Sequence, residues 1–135
     1  LDKNYNLNKS YLINIDMVGS YIGLIDKVGI FKKTKLNKSL NNILEETARE
    51  KEIPLRKETK PITFSSDHST FQHFAGKLKR ELQICWFQSK NDSKFIHNSK
   101  DTPEKCLSEN LNGCIDMCYH TLKKLDTDLD RLQMR

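Results

Sequence analysis

Apolar residues fall in short runs separated by polar stretches, and the spacing inside each run predicts an element. Tyr11-Leu12-Ile13-Asn14-Ile15 leads into Asp16-Met17-Val18-Gly19. A β-rich apolar run that ends in an acid and a glycine reads as a buried strand delivering Asp16 at its C-terminal tip. Tyr21 to Phe31 is β-rich again, interrupted by Gly23 and Gly29, and predicts a short strand or hairpin. Leu36, Leu40, Ile43, Leu44 and Ala48 keep helical spacing, with Glu45, Glu46, Arg49 and Glu50 on the other face, which predicts an amphipathic helix over 36–51. Pro54 and Pro61 bracket a short strand that enters Ile62-Thr63-Phe64. Ser65 to Ser69 is a polar loop, and Thr70 to Ala75 reads as one or two helical turns closed by Gly76. Leu82 to Phe87 is the next strand. After a polar loop and the stretch Phe95 to Pro103, the stripe Leu111, Ile115, Cys118, Leu122 and Leu125 marks a long last helix. Strands alternating with helices predict an α/β fold with a mostly parallel sheet.

The chain has 135 residues, which suits a single domain spanning 1–135. Its mean hydropathy of −0.69 is polar, but the apolar residues are clustered in runs, so a folded chain is expected. No apolar stretch approaches the roughly 20 residues of a membrane helix, and no membrane association is expected. A formal charge of +5 and a pI near 9.0 permit an acidic partner. The lysine-rich stretches at 32–38 and 77–80 carry few aromatics and match no nucleic-acid module, so they are expected to be solvated faces. Four cysteines, Cys85, Cys106, Cys114 and Cys118, are too few for a disulfide scaffold and lean towards a cytoplasmic location. The opening Leu1-Asp2-Lys3-Asn4, with no initiator Met and no apolar signal core, leads us to expect further sequence upstream.

Three acid- or histidine-bearing loops follow three apolar runs: Asp16, then Asp67-His68, then His97 with Asp101. In open α/β sheets ligands gather at the carboxyl ends of strands, so these loops can converge on one site. Carboxylate and imidazole together suit zinc. Ser66, Asp67 and His68 hold the letters of a hydrolase triad, but consecutive residues cannot form the relay, which excludes a serine nucleophile. Cys114 and Cys118 share a helical face while His120 points elsewhere, so buried thiols are the better account than a metal clip.

The wording and order of the loops carry more. Ile13-Asn14-Ile15-Asp16-Met17-Val18-Gly19 resembles the N-hydrophobic-D-M-hydrophobic-G segment of the co-catalytic zinc exopeptidases. That family includes bacterial leucyl aminopeptidases, aminopeptidase Y and, more distantly, the glutaminyl cyclases. Ser66 to Phe71 is similar to its S-D-H-x-P-F loop, and Ile96 to Thr102 to its H-T-x-x-D-T loop. The resemblance spans nearly all of the chain and corresponds to the C-terminal half of the family's catalytic domain. It implies a three-layer α/β sandwich with the site at the strand ends, two zinc ions per complete site, and a peptide substrate recognised by its free N-terminus. Asp16 would be a terminal ligand of one zinc and His97 a ligand of the other. Asp67 would orient a ligand or the substrate, His68 would brace the loop, and Asp101 would cap the turn behind His97. In such sites two metals activate a shared water while a glutamate moves the proton.

The family's upstream His, bridging Asp and Glu-Glu pair precede the segment that matches Asp16, and the residues before Asp16 here include no His or Glu. Glu45-Glu46 follows Asp16 and reads as solvated surface. No catalytic general base is therefore assigned within this chain. Thr70 stands where the family usually has Pro, and Asn98-Ser99 where it has Thr-Pro. The expectation is a zinc-dependent aminopeptidase-like hydrolase whose site is completed from elsewhere. The alternatives are a non-catalytic remnant or interaction domain of the same fold, and a glutaminyl cyclase-like enzyme. A half-domain exposes a sheet edge and apolar faces, so a partner chain or self-association is expected.

Overall fold

The computed structural model describes residues 6–29, 34–35, 37–61 and 66–133, with side chains placed for all of these except 34–35 and 128–133. Among the described residues five strands form one sheet: β1 (Tyr11–Met17), β2 (Ile22–Val28), the two-residue β3 (Thr34–Lys35), β4 (Leu55–Lys60) and β5 (Gln83–Gln88). Their order is β1-β5-β2-β3, with β4 pairing the other side of β2. The two long ladders, β1/β5 and β2/β4, are parallel with six register pairs each. The antiparallel contacts are short, two pairs for β2/β3 and the single pair Leu24–Phe87 for β2/β5. The sheet is thus mostly parallel, as the alternation of strand and helix predicts.

Helix α1 (Lys38–Glu50) forms where the sequence places an amphipathic helix, and α3 (Ser108–Gln133) is the long last helix. α2 (His68–Lys77) runs for ten residues, longer than the one or two turns expected over 70–75, because Gly76 sits inside it rather than closing it. The expected strand over Ile62-Thr63-Phe64 lies outside the described residues, and its described part is β4.

Alternation along β5 separates the layers. Cys85 and Phe87 join Leu40, Leu44 and Ala48 of α1 and Cys114, Met117, Cys118 and Leu125 of α3 in the main core. Trp86 points the other way and stacks on His68 of α2, ring centroids 4.2 Å apart. Helices therefore cover both faces, which makes a three-layer α/β sandwich.

One close approach explains a glycine inside a strand. A Cβ on Gly23 would lie 2.5 Å from the carbonyl oxygen of Gln88, so β2 and β5 can meet there only without a side chain.

The stripe expected on α3 needs correcting. Leu125 and Cys118 are buried, but Leu111, Ile115 and Leu122 are exposed, Ile115 at 62%. The buried face instead runs through Cys114, Met117, Cys118, Thr121 and Leu125. Apolar residues cover two adjacent faces of this helix, and periodicity alone averaged them into one stripe lying between the two.

Candidate functional site

Asp16 stands at the C-terminal end of β1, and the structure adds a detail that spacing does not show. Ile15 pairs with Phe87 and Met17 with Gln88, so two steps along β1 match one step along β5 and Asp16 is the extra residue of a β-bulge. A bulge bends its strand and re-aims the side chain it carries. The Asp16 carboxylate is exposed, and the Gln88 Nε2 amide donates to its Oδ2 at 3.4 Å. Gln88 is itself buried.

The Asp67-His68 loop is tied to the same edge. Asn14 Nδ2 donates to Ser66 Oγ at 3.0 Å, and Ser69 Oγ donates to the Ser66 carbonyl at 2.8 Å, closing the turn that starts α2. Asp67 is exposed at the start of that helix. His68 is buried at 7% exposure against Trp86. Burial depresses the His68 pKa below its usual 6.5, while the carboxylates of Asp16 and Asp67 act in the opposite direction. His68 Nδ1, Trp86 Nε1 and Gln88 Oε1 are buried with no hydrogen-bond partner among the described residues. Lys60, at the end of β4, is buried as well and donates from Nζ to Ser93 Oγ at 3.3 Å. Desolvation holds its pKa below the usual lysine value, with Lys90 acting in the same direction and Glu58 and Asp16 opposing it.

His97 lies nine residues beyond β5 in the turn that Asn98 N closes on Phe95 O. It is exposed and holds a left-handed φ of 58°, a conformation that costs an L-residue about 1–2 kcal/mol. The segment leading to it is braced: the Asp92 carboxylate accepts from Ser20 N–H at 3.0 and 3.1 Å and from the Ser20 hydroxyl. Asp92 N–H donates to Ser89 Oγ at 2.9 Å. Asp101 is exposed, its N–H donates to Asn98 O at 3.0 Å, and Thr102 opens the turn that follows. Ser20, Asn91, Lys94, Phe95 and Lys105 line an open groove of about 440 Å³ beside these loops.

The structure thus gathers Asp16, the Ser66–His68 loop, Trp86, Gln88 and Lys60 at one sheet edge, with the His97 loop leaving from the same end of β5. Among the described residues no group of three or more His, Cys, Asp or Glu side chains could hold a metal ion. The residues present do not by themselves fit a zinc centre, which needs at least three protein ligands. Sequence reasoning missed Gln88, Lys60 and the bulge. Gln88 closes an apolar run and could be suspected from that position, whereas the bulge leaves no local signal in composition.

A mostly parallel sheet sandwiched by helices, with a carboxylate presented at the strand ends, defines the class as a zinc-exopeptidase-like α/β protein. The model of Peptidase family M28 matches residues 3–122, and the chain belongs to that family of metallopeptidase-like hydrolases. No curated protein matches the chain.

Proposed function

We propose that this chain forms one wall of a zinc-dependent aminopeptidase site, contributing Asp16 and His97 as ligands, one to each of two metals. The further ligands and the general base come from outside the described residues. The observation that carries the reading is Asp16 itself: a bulge turns its carboxylate out at the C-terminal edge of the outer parallel ladder, and the Gln88 amide tethers one oxygen. Tethering leaves the other oxygen free to accept a cation and limits the rotation lost on binding. His97, held at a left-handed φ on a loop braced through Asp92, presents its imidazole to solvent from the neighbouring strand end. The substrate class that fits this reading is a peptide with a free N-terminus.

The test is zinc content after dialysis, with release of the N-terminal residue from an aminoacyl p-nitroanilide, for the protein as isolated and for Asp16→Ala and His97→Ala. The expected result is retained zinc in the parent, about one equivalent lost with each substitution, and turnover reduced at least ~100-fold, as befits loss of a metal that activates water. Unchanged zinc in either variant refutes that ligand. A parent that holds no zinc and turns over no substrate favours the second reading, a non-catalytic relative of the same fold. The observation on that side is the lack of a three-ligand cluster among the described residues.

A further inference from the structure

We propose that Ser93, activated by Lys60, is a nucleophile that accepts an acyl group from an ester, an activity separate from the metal site. A relay through Ser66, Asp67 and His68 fails because neighbours in the chain cannot aim at one another. The fold meets that requirement elsewhere, with two residues 33 positions apart. Lys60 Nζ donates to Ser93 Oγ at 3.3 Å, and Ser93 Oγ donates to the Ser89 carbonyl at 2.8 Å. A nucleophile and a base within hydrogen-bond reach, with a third group holding their orientation, are the parts an activated hydroxyl needs.

Each part is placed by the fold. Lys60 ends β4, on the flank of the sheet away from β1, and only 6% of it is exposed. Burial of this kind favours the neutral amine, the form in which a lysine serves as a base. Glu58, two residues back on the same strand, is already engaged by the Tyr21 hydroxyl, which donates to its Oε1 at 2.6 Å. Ser93 lies in the short turn Asp92–Lys94, fixed by its own N–H to Ser89 O at 3.2 Å and by Asp92 N–H to Ser89 Oγ at 2.9 Å. Ser93 is half-buried and Ser89 fully buried, so of these two hydroxyls only that of Ser93 is open to a reagent. Asn91, Lys94 and Phe95, on either side of it, line the groove of about 440 Å³. There Phe95 and Leu107 give an acyl chain an apolar wall, and the Asn91 amide and Lys94 ammonium supply donors for a carbonyl oxygen as charge develops on it. Rotation about Cβ–Oγ turns the hydroxyl hydrogen from the Ser89 carbonyl to neutral Lys60. Lys60 Nζ then takes that proton as Ser93 Oγ bonds to the ester carbonyl carbon. The bond to the leaving oxygen breaks, and that oxygen takes the proton from Lys60, leaving acyl-Ser93 and a free alcohol.

The experiment is labelling of the chain with a fluorophosphonate, read by mass spectrometry of the intact protein and of its peptides. The probe forms an O–P bond at an activated serine and releases fluoride. A single label on Ser93 is expected, at the same rate with a metal chelator present, and none on the urea-unfolded chain. Ser93→Ala should take no label. Lys60→Arg keeps a charged donor that cannot act as a base, and should label at least ~100-fold more slowly, the worth of a general base. Lys60→Met, which keeps most of the stem, should slow by a similar factor, and far-UV circular dichroism reads whether each variant keeps the fold of the parent. A parent that takes no label, or takes it on any residue other than Ser93, overturns the proposal. Equal rates in the parent and a folded Lys60 variant overturn it as well, because the hydroxyl would then react without its base. A label lost with the chelator assigns the reaction to the metal site and overturns it equally.

Discussion

Replacing Gly23 by Ala tests the packing of the sheet through the sign of its effect. Gly23 lies inside β2, and its φ is not in the left-handed region that would demand glycine. On backbone grounds alone, Ala should therefore stabilise by about 0.4–1 kcal/mol, because it restricts the unfolded chain. The structure reverses that expectation. The new Cβ would sit 2.5 Å from the Gln88 carbonyl oxygen and 3.1 Å from its carbon, and these are backbone atoms that cannot swing aside. Overpacking of this kind costs about 1–3 kcal/mol, so the net effect should be a loss of about 1–2 kcal/mol. For a domain of this size that lowers Tm by roughly 4–8 °C. Gly76→Ala is the control: nothing lies within 4 Å of its added Cβ, and helix propensity should raise stability by about 0.5 kcal/mol. Thermal and urea unfolding of both variants read the result. A Gly23→Ala protein as stable as the parent, or more so, would refute the close approach of β2 to β5. Because Gln88 also tethers Asp16, the same variant should weaken whatever Asp16 binds.

Asp92→Ala should cost about 1.5–3 kcal/mol, the worth of hydrogen bonds to a charged acceptor, and should raise hydrogen exchange at Ser20. Unchanged exchange there would remove Asp92 as the brace of the His97 loop. Burial holds His68 below its unfolded pKa, so the unfolded chain binds the extra proton first. The corresponding stability is present above about pH 6.5 and is lost as pH falls through the depressed folded value. The urea midpoint should therefore drop between pH 7.5 and 5.5 in the parent and drop less in His68→Phe, which keeps the stack on Trp86. Equal pH slopes would show that His68 titrates as if unfolded.

Much of the fold is legible in the sequence because its elements are marked by local patterns. The run 11–17 and the run 82–87 carry β-rich apolar residues on both sheet faces, and α1 separates its leucines from its glutamates. The loops bearing Asp16, Asp67 and His97 are recognisable because each follows such a run. Pairing is what the sequence leaves hidden. Nothing local says that β2 turns antiparallel to β5, or that the extra residue of a bulge is Asp16. Gly23 looks like a break in a strand, yet its missing side chain is what lets β2 lie against the β5 backbone at Gln88. α3 shows the limit of periodicity: the exposed Ile115 and the buried Met117 are equally apolar by composition, and only the packed partners separate them.

The packing of the cysteines has a kinetic consequence. All four thiols are free, with Cys106 exposed and Cys85, Cys114 and Cys118 buried in the main core. Burial pushes the Cys85 thiol up to about 12, and the hydrogen bond with Cys118, together with burial, raises Cys114 while the same bond lowers Cys118. A buried thiol is out of a reagent's reach, so an alkylating probe meets one exposed site and three that open only when the core does. A β-strand and the longest helix contribute these three, so their labelling rates should converge if strand and helix separate in one cooperative event and diverge if α3 peels away first. The molecule carries its own clock for the order in which its layers come apart.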